Sequence, residues 1–395
     1  MTFLLRPKPK HDETIESYVL RLAIANGYSS LGKFFKTLGL MSDLTISGEG
    51  EHFSSLNLIN IYHSQISSQR RIEIIRVISK LADTPFAEVF DICLARSADS
   101  FSNNTSALFR KGVMVPTEQL LPLPSVKVCP ACLKEAAYVR QLWHFKSYTI
   151  CHNHRVTLRN TCQCGALIDI YSDLKTRCQT CEASFSETVV SEKDAELLIA
   201  TWLAGQNVVL LPNITISNRW GVQLFYIKYI AKDEVFTADN FIDFLSDWPA
   251  NFVNKLQNDA QYRLELALRP IEETSFKDIF SNLLIAASRL PSRTMSDNIV
   301  LRAVFKYLYK EVLEHHSSLG QLLLNSIEVS ILLNTTTEQV AALYEQGFIT
   351  PHKRISNKSL LSVYSPIFQL QEVLALWLTS YQSDSSNLRY LTSRW

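Results

Sequence analysis

The stretch Val128-Cys129-Pro130-Ala131-Cys132-Leu133, followed by Cys151-His152-Asn153-His154, Cys162-Gln163-Cys164 and Cys178-Gln179-Thr180-Cys181, decides how this chain is read. From Val128 to Ser184 it holds seven of the eight cysteines. Zinc takes four soft or borderline ligands at the corners of a tetrahedron, and a Cys-x-x-Cys turn presents two of them from one bend of backbone. Cys129 and Cys132 form one such knuckle, and Cys151 and His154 repeat its spacing with histidine last; these four make site one. Cys162 and Cys164 form a tighter knuckle that closes with Cys178 and Cys181 as site two. The loops of 18 and 13 residues between paired knuckles suit a short hairpin or ribbon. His152 rivals His154, but Cys-x-His is a poorer bite than Cys-x-x-His. Four protein ligands fill each site, so the expectation is two structural Zn2+ ions per chain.

The rest of the composition frames that module. With 395 residues, 47% hydrophobic and 19% charged, the chain has the make-up of a soluble globular protein of two or three domains. No apolar run reaches the ~18 residues of a membrane span. The opening, Met1 to Glu13, lacks the apolar centre of a signal peptide. The expected location is the cytoplasm, where thiols stay reduced and clustered cysteines favour metal over disulfides. The formal charge of +1 is unevenly spread: Lys127 to Cys181 carries eight Lys/Arg against three Asp/Glu, the remainder 31 against 35. Zinc-bound thiolates bring the module down to about +2, well short of a DNA-binding footprint.

Apolar periodicity predicts helices on both sides, giving a mainly α class with small zinc-ribbon β elements. Ile15, Tyr18, Val19 and Leu22 recur at helical spacing after a capping Asp12, and Asn26-Gly27 ends that helix. Leu31, Phe34, Phe35 and Leu38 form the next. Ile72, Ile75, Ile78 and Leu81 precede a turn and a short helix capped by Thr84, a helix-turn-helix outline over Ser68–Leu94. Residues 97–127 read as an irregular connector. A helix capped by Ser191 follows the module, and then Arg219–Ala231, Asp239–Leu245, Ala250–Leu268, Phe276–Arg289 and Asn298–His315. A second helix-turn-helix lies over Ser326–Leu333 and Thr337–Glu345, stopped by Gly347, with Lys353, Arg354 and Lys358 where a wing would sit. Tyr364–Thr379 is read as the last helix. The segments are 1–115, a helical/helix-turn-helix domain; 116–190, the tandem zinc module; 191–316, helical; and 317–395, a helix-turn-helix or winged-helix-like region.

Signatures of catalysis are missing from the sequence: no P-loop, no His-Glu-x-x-His, no Gly-x-Ser-x-Gly. Glu311, Glu314, His315 and His316 read as a solvated helix end. A metal-dependent nuclease or hydrolase is therefore only the contrasting reading, and the expectation is a protein that is not an enzyme.

The opening Pro7-Lys-Pro-Lys-His-Asp-Glu-Thr-Ile-Glu-Ser17-Tyr18, running into Arg21-Leu22-Ala23, resembles the start of the TniQ/TnsD family of transposition target selectors. So do Val128-Cys-Pro-Ala-Cys-Leu133, then Arg140, Trp143, Cys151, His154, Leu158 and Cys162, and further on Asp247-Trp248-Pro249 with Phe252. The resemblance spans roughly the first 250 residues. It implies a non-enzymatic adaptor linking a device that has found a DNA target to the AAA+ regulator TnsC and the transposase. In length and helix-turn-helix outlines the chain looks most like the short members encoded with a nuclease-less type I-F CRISPR effector. That implies a homodimer docked on the crRNA-bound Cascade complex in a bacterial cytoplasm, directing RNA-guided DNA integration. The alternative within the family is a selector that reads an attachment site itself. Asn325 to His352 carries Glu328, Glu338 and Glu345 and no Lys or Arg, which speaks against direct reading. Arg140, Lys146, Arg155, Arg159, Lys353, Arg354 and Lys358 are the candidate contacts to nucleic acid or a partner.

Overall fold

A computed structural model describes residues 2–41, 68–101, 105–121, 126–169, 176–232, 235–352 and 362–382. The chain divides into two compact units, Met1–Asp99 with Ser106–Val208, and Ser100–Thr105 with Val209–Trp395. Among the described residues, no helix is long and apolar enough to cross a membrane. The class is mainly helical with small β elements.

The first unit opens with α1 (Ile15–Ala25), α2 (Leu31–Met41), α3 (Ser68–Leu81) and the single-turn α4 (Phe86–Phe90). Tyr18, Val19 and Leu22 bury against Phe34, Phe35 and Leu38 of α2 and Ile74, Ile75 and Ile78 of α3, so the apolar spacing becomes the core. The caps differ from expectation. Thr14, not Asp12, caps α1, accepting from Ser17 N. Thr84 does not cap α4: its hydroxyl turns back to the Ala82 carbonyl at 3.2 Å, and Pro85 occupies the cap position. Asn26 and Gly27 (φ +77°) do end α1.

Residues 97–127 are not the irregular connector expected. They contain most of a three-stranded sheet, β1 (Ala95–Phe101), β2 (Thr105–Arg110) and β3 (Val113–Pro116) in that order. Arg110 pairs with Val113 across the two-residue turn Lys111-Gly112, whose φ values are +45° and +80°. Two positive φ angles match the right-handed twist of a hairpin, and glycine takes the second at no steric cost. Next come α5 (Pro130–Glu135), the minimal hairpin β4 (Ile150–Cys151) and β5 (Val156–Thr157), and α6 (Ala195–Leu203). Asp194 rather than Ser191 caps α6, accepting from the backbone of Glu196 and Leu197.

The second unit begins with α7 (Ile216–Phe225), which widens into a π turn over Tyr226–Ile230. Then follow α8 (Ala238–Ser246), α9 (Ala250–Glu265), α10 (Phe276–Phe280), α11 (Leu283–Ala287) and α12 (Ile299–Tyr309), the last ending in a second π turn. Phe225, Tyr226, Phe244, Trp248 and Phe252 form a contiguous aromatic cluster. Gly221 is needed because a Cβ there would sit 3.0 Å from the Leu290 backbone. The expected continuous helix Phe276–Arg289 is broken at Ser281, which has φ +50°.

The unit closes with β6 (Leu323–Leu324), α13 (Ser326–Leu332), α14 (Thr337–Glu345), β7 (Phe368–Gln369) and α15 (Leu370–Gln382). Two capping boxes define α13 and α14: Asn325 with Glu328, and Thr336 with Gln339. Asn334 (φ +47°) turns the chain between them and Gly347 (φ +75°) ends α14. The last helix starts at Leu370 rather than Tyr364, because Phe368 and Gln369 pair with Leu324 and Leu323 as strand.

Candidate metal centres

Site one is assembled by short-range structure. Cys129 is the N-cap of α5, with Pro130 pre-set at the first helical position, and Cys132 directs its N–H to the Cys129 sulfur at 3.5 Å. Cys151 ends β4, and the turn after it carries His154 and Arg155, the latter at φ +54°. The two halves meet because Val128 and Arg159 exchange backbone hydrogen bonds of 2.8 and 3.1 Å.

The result is a four-atom cage. Cys132 Sγ lies 3.5 Å from Cys151 Sγ, and His154 Nδ1 lies 3.7, 3.2 and 3.7 Å from the sulfurs of Cys129, Cys132 and Cys151. Sulfurs bonded to one another would sit about 2 Å apart, so these are thiols and not disulfides. A tetrahedral zinc with bonds of about 2.3 Å to sulfur places neighbouring ligand atoms roughly 3.5–3.8 Å apart, which the cage matches. His152 is turned elsewhere: its Nδ1 is 2.6 Å from the Tyr148 hydroxyl. His154 Nε2 lies 2.8 Å from Glu135 Oε1, the carboxylate–histidine arrangement that orients an imidazole toward a metal. Glu135 escaped sequence reasoning, since only the geometry of α5 aims it at His154.

Electrostatics point the same way. Three thiols this close cannot all ionise by themselves. Hydrogen bonding to Cys129 and Cys151 holds the Cys132 thiol far above its ordinary value, while bonds from Cys129 and Cys132 draw Cys151 far below its own. A divalent cation between them removes the conflict by stabilising every thiolate at once.

Site two is built differently. Cys162 and Cys181 sulfurs are 3.6 Å apart, as are those of Cys164 and Cys178. Each knuckle is a tight turn. Gly165 (φ +83°) donates its N–H to Cys162 O at 2.9 Å, and Glu182 (φ +58°) donates to Cys178 O at 2.9 Å. Both four-residue sets bring one ligand atom each to within 4.8 Å of all the others, so both could hold a metal ion. Burial separates them. Cys129, Cys132 and Cys151 are at most 1% exposed, whereas Cys164 and Cys181 face solvent.

Site one is also tied to the helical core. Val139 O accepts from Thr14 N and Val139 N donates to Ser17 Oγ, at 3.0 and 2.9 Å. The Tyr138 hydroxyl donates to Asp12 Oδ1 at 2.7 Å, and Gln141 Nε2 to Ile92 O at 2.7 Å. Arg140 belongs to this lock. It pairs with Asp12 at 3.1 Å and lies over the rings of Tyr138 and Trp143 at 4.5 and 5.5 Å. Its guanidinium is thus engaged within the first unit. Arg159 reaches Thr188 Oγ1 at 2.6 Å, and Arg155 pairs with Glu192 at the surface. Lys146 is exposed. Lys353, Arg354 and Lys358 lie outside the described residues. His315 sits 3.3 Å from Glu311 on the solvated end of the second π turn.

No curated protein matches this chain. The TniQ family model matches residues 4–158, a stretch that holds all of site one and stops short of site two, so over that stretch the chain is similar to the TniQ family.

Proposed function

We propose that the chain is a non-enzymatic targeting adaptor whose two Cys/His clusters hold structural zinc. The family match suggests a transposition-associated targeting protein. The observation that carries the adaptor reading is the closure of both clusters. Four protein ligands complete each tetrahedron, leaving no corner at which zinc could activate water, and site one is hydrogen-bonded into the first helical core. A closed, core-linked metal positions surfaces for partners.

The finer reading follows the short, Cascade-associated branch of the family. The protein docks as a homodimer on crRNA-loaded type I-F Cascade and passes the located target to TnsC and the transposase. The α13–α14 pair, with its capped helices and four-residue turn, fits a helix-turn-helix outline, and Ser68–Phe90 supports a second at the other end of the chain. On α14 the charged residues are Glu338 and Glu345, so its surface suits a protein neighbour better than phosphate. Co-purification of the full chain with and without guide-loaded Cascade tests this, with light scattering for the dimer. Tight, site-specific binding of duplex DNA by the protein alone would instead establish the attachment-site selector.

A further inference from the structure

A second cluster of charge, unrelated to the zinc module, lies in the second unit. A cleft of about 280 Å³ is lined by Lys228 on the first π turn, Lys232 just beyond it, Lys255, Asp259 and Arg263 on α9, and Ser281 between α10 and α11. Four cations face one carboxylate in a chain whose totals are nearly balanced, 39 basic against 38 acidic.

The cleft is built rather than incidental. The π turn carries Lys228 to the cleft wall, where its ammonium also donates to Thr105 Oγ1 at 3.4 Å; such turns recur where a helix serves a site. Lys255, Asp259 and Arg263 recur at every fourth residue and so share one face of α9. Ser281 adopts φ +50°, a conformation that costs a non-glycine residue energy, and its hydroxyl accepts from Arg263 Nη1 at 2.6 Å. Arg263 is thereby held in place at the wall. Asp259 lies 3.8 Å from Lys255 and offsets part of one charge only. The aromatic neighbour Tyr229 is already engaged, its ring stacked on Phe225 at 5.1 Å and its hydroxyl on Phe280 O at 2.7 Å. The cleft therefore offers point charges and small donors without a free ring for base stacking. It also lacks the aromatic anchor typical of a protein-docking core. Lysine ammonium groups in a concave polar site suit phosphate oxygens.

We infer that this cleft binds phosphate groups, carried either by a nucleic-acid backbone or by a free nucleotide, without reading base sequence. The inference does not rest on the adaptor reading; it concerns a surface that a Cascade-docked protein and a DNA-binding selector would both possess. The test uses the full-length, metal-loaded chain and three probes: a short labelled single-stranded RNA, a labelled duplex DNA, and a nucleoside triphosphate followed by calorimetry. At least one probe binds, and Lys232→Gln/Lys255→Gln weakens it about tenfold and lowers the slope of log affinity against log salt by about 1.4 for a single strand, 0.7 per lost phosphate contact. Asp259→Asn tightens the same probe about threefold, as removal of a nearby like charge should. That gain cannot arise from misfolding. Whichever probe responds identifies the source of the phosphate. The inference is overturned if no probe binds, if neither variant shifts any probe, or if polyglutamate competes as well as the nucleic acids do.

Discussion

The two candidate metal sites gather similar four-atom donor sets, one with a histidine and one all cysteine, and differ in everything around them. Site one has three sulfurs withdrawn from water, a histidine braced by Glu135, and backbone hydrogen bonds running from its loops into α1. Site two has half its sulfurs exposed and is held by two tight turns of its own backbone. What joins them is a strand-like exit in which Thr157 N meets Thr188 O at 2.9 Å and Val190 N meets Arg155 O at 2.8 Å. The difference teaches that two paired-knuckle sets in one segment can serve two ends. Site one is part of the core of the first unit, whereas site two stands on its own turns with two sulfurs in solvent.

The largest expected effect breaks site one. Structural zinc contributes on the order of 10–16 kcal/mol to small zinc-dependent folds, more than most domains' whole stability. Cys132→Ser should abolish cooperative unfolding of the first unit, since α1 and the 138–141 segment lose their common anchor. Cys164→Ser should remove one equivalent of metal and leave α1–α4 folded. Elemental analysis and thermal melts of the two variants decide it. Equal damage from both would erase the distinction between the sites.

Next comes the imidazole brace. Glu135→Gln keeps the shape but weakens the acceptor for His154 Nε2, and such changes lower metal affinity about 10–100-fold. The effect should appear in titration against a competing chelator at site one alone. His152→Ala should leave both metals in place, because its ring faces Tyr148. Loss of metal in His152→Ala would reassign the fourth ligand.

How much of this was readable beforehand depends on what each feature rests on. The two Cys/His clusters were legible because coordination demands particular atoms at particular spacings, which the chain writes locally. The core stripes of α1 and α2 were legible for the same reason, as helical periodicity is local. Glu135, Asp12 and Arg140 were not, because their partners arrive only when separate loops fold together. The sheet at 95–116 escaped notice since β1 reads Ala-Arg-Ser-Ala-Asp-Ser-Phe, polar and without alternation. The break at Ser281 was hidden inside an unbroken apolar pattern, and a backbone angle decided it. The lysine cleft joins charges from the first π turn and α9 with the bend at Ser281, so no window of sequence contains it.

A smaller effect separates the sites in time. Exposed Cys164 and Cys181 let a chelator attack without prior opening, while site one must first open locally, and each 1.4 kcal/mol of opening slows release about tenfold. Metal release followed with a chromogenic chelator should be biphasic, one equivalent fast and one slow, and Cys164→Ser should delete the fast phase. A single phase of two equivalents would mean that the sites open together.

The smallest expected difference concerns two arginines that the sequence presented as equals. Arg155 and Glu192 pair with side chains 50% and 71% exposed, and surface pairs of this kind contribute about 0–1 kcal/mol. Glu192→Ala should therefore move the melting temperature hardly at all. Arg140 has a side chain only 13% exposed, an aspartate partner and two aromatic faces, and desolvated cation–π contacts reach about 2 kcal/mol. Arg140→Ala should lower the stability of the first unit by about 1–3 kcal/mol and leave zinc stoichiometry unchanged, while Arg140→Lys should recover only part, because a compact ammonium cannot stack as a guanidinium does. If Arg140→Ala melts like the parent, the segment that joins site one to α1 is held by backbone hydrogen bonds alone. The contrast between the two sites would then rest on sulfur burial rather than on the lock around Asp12.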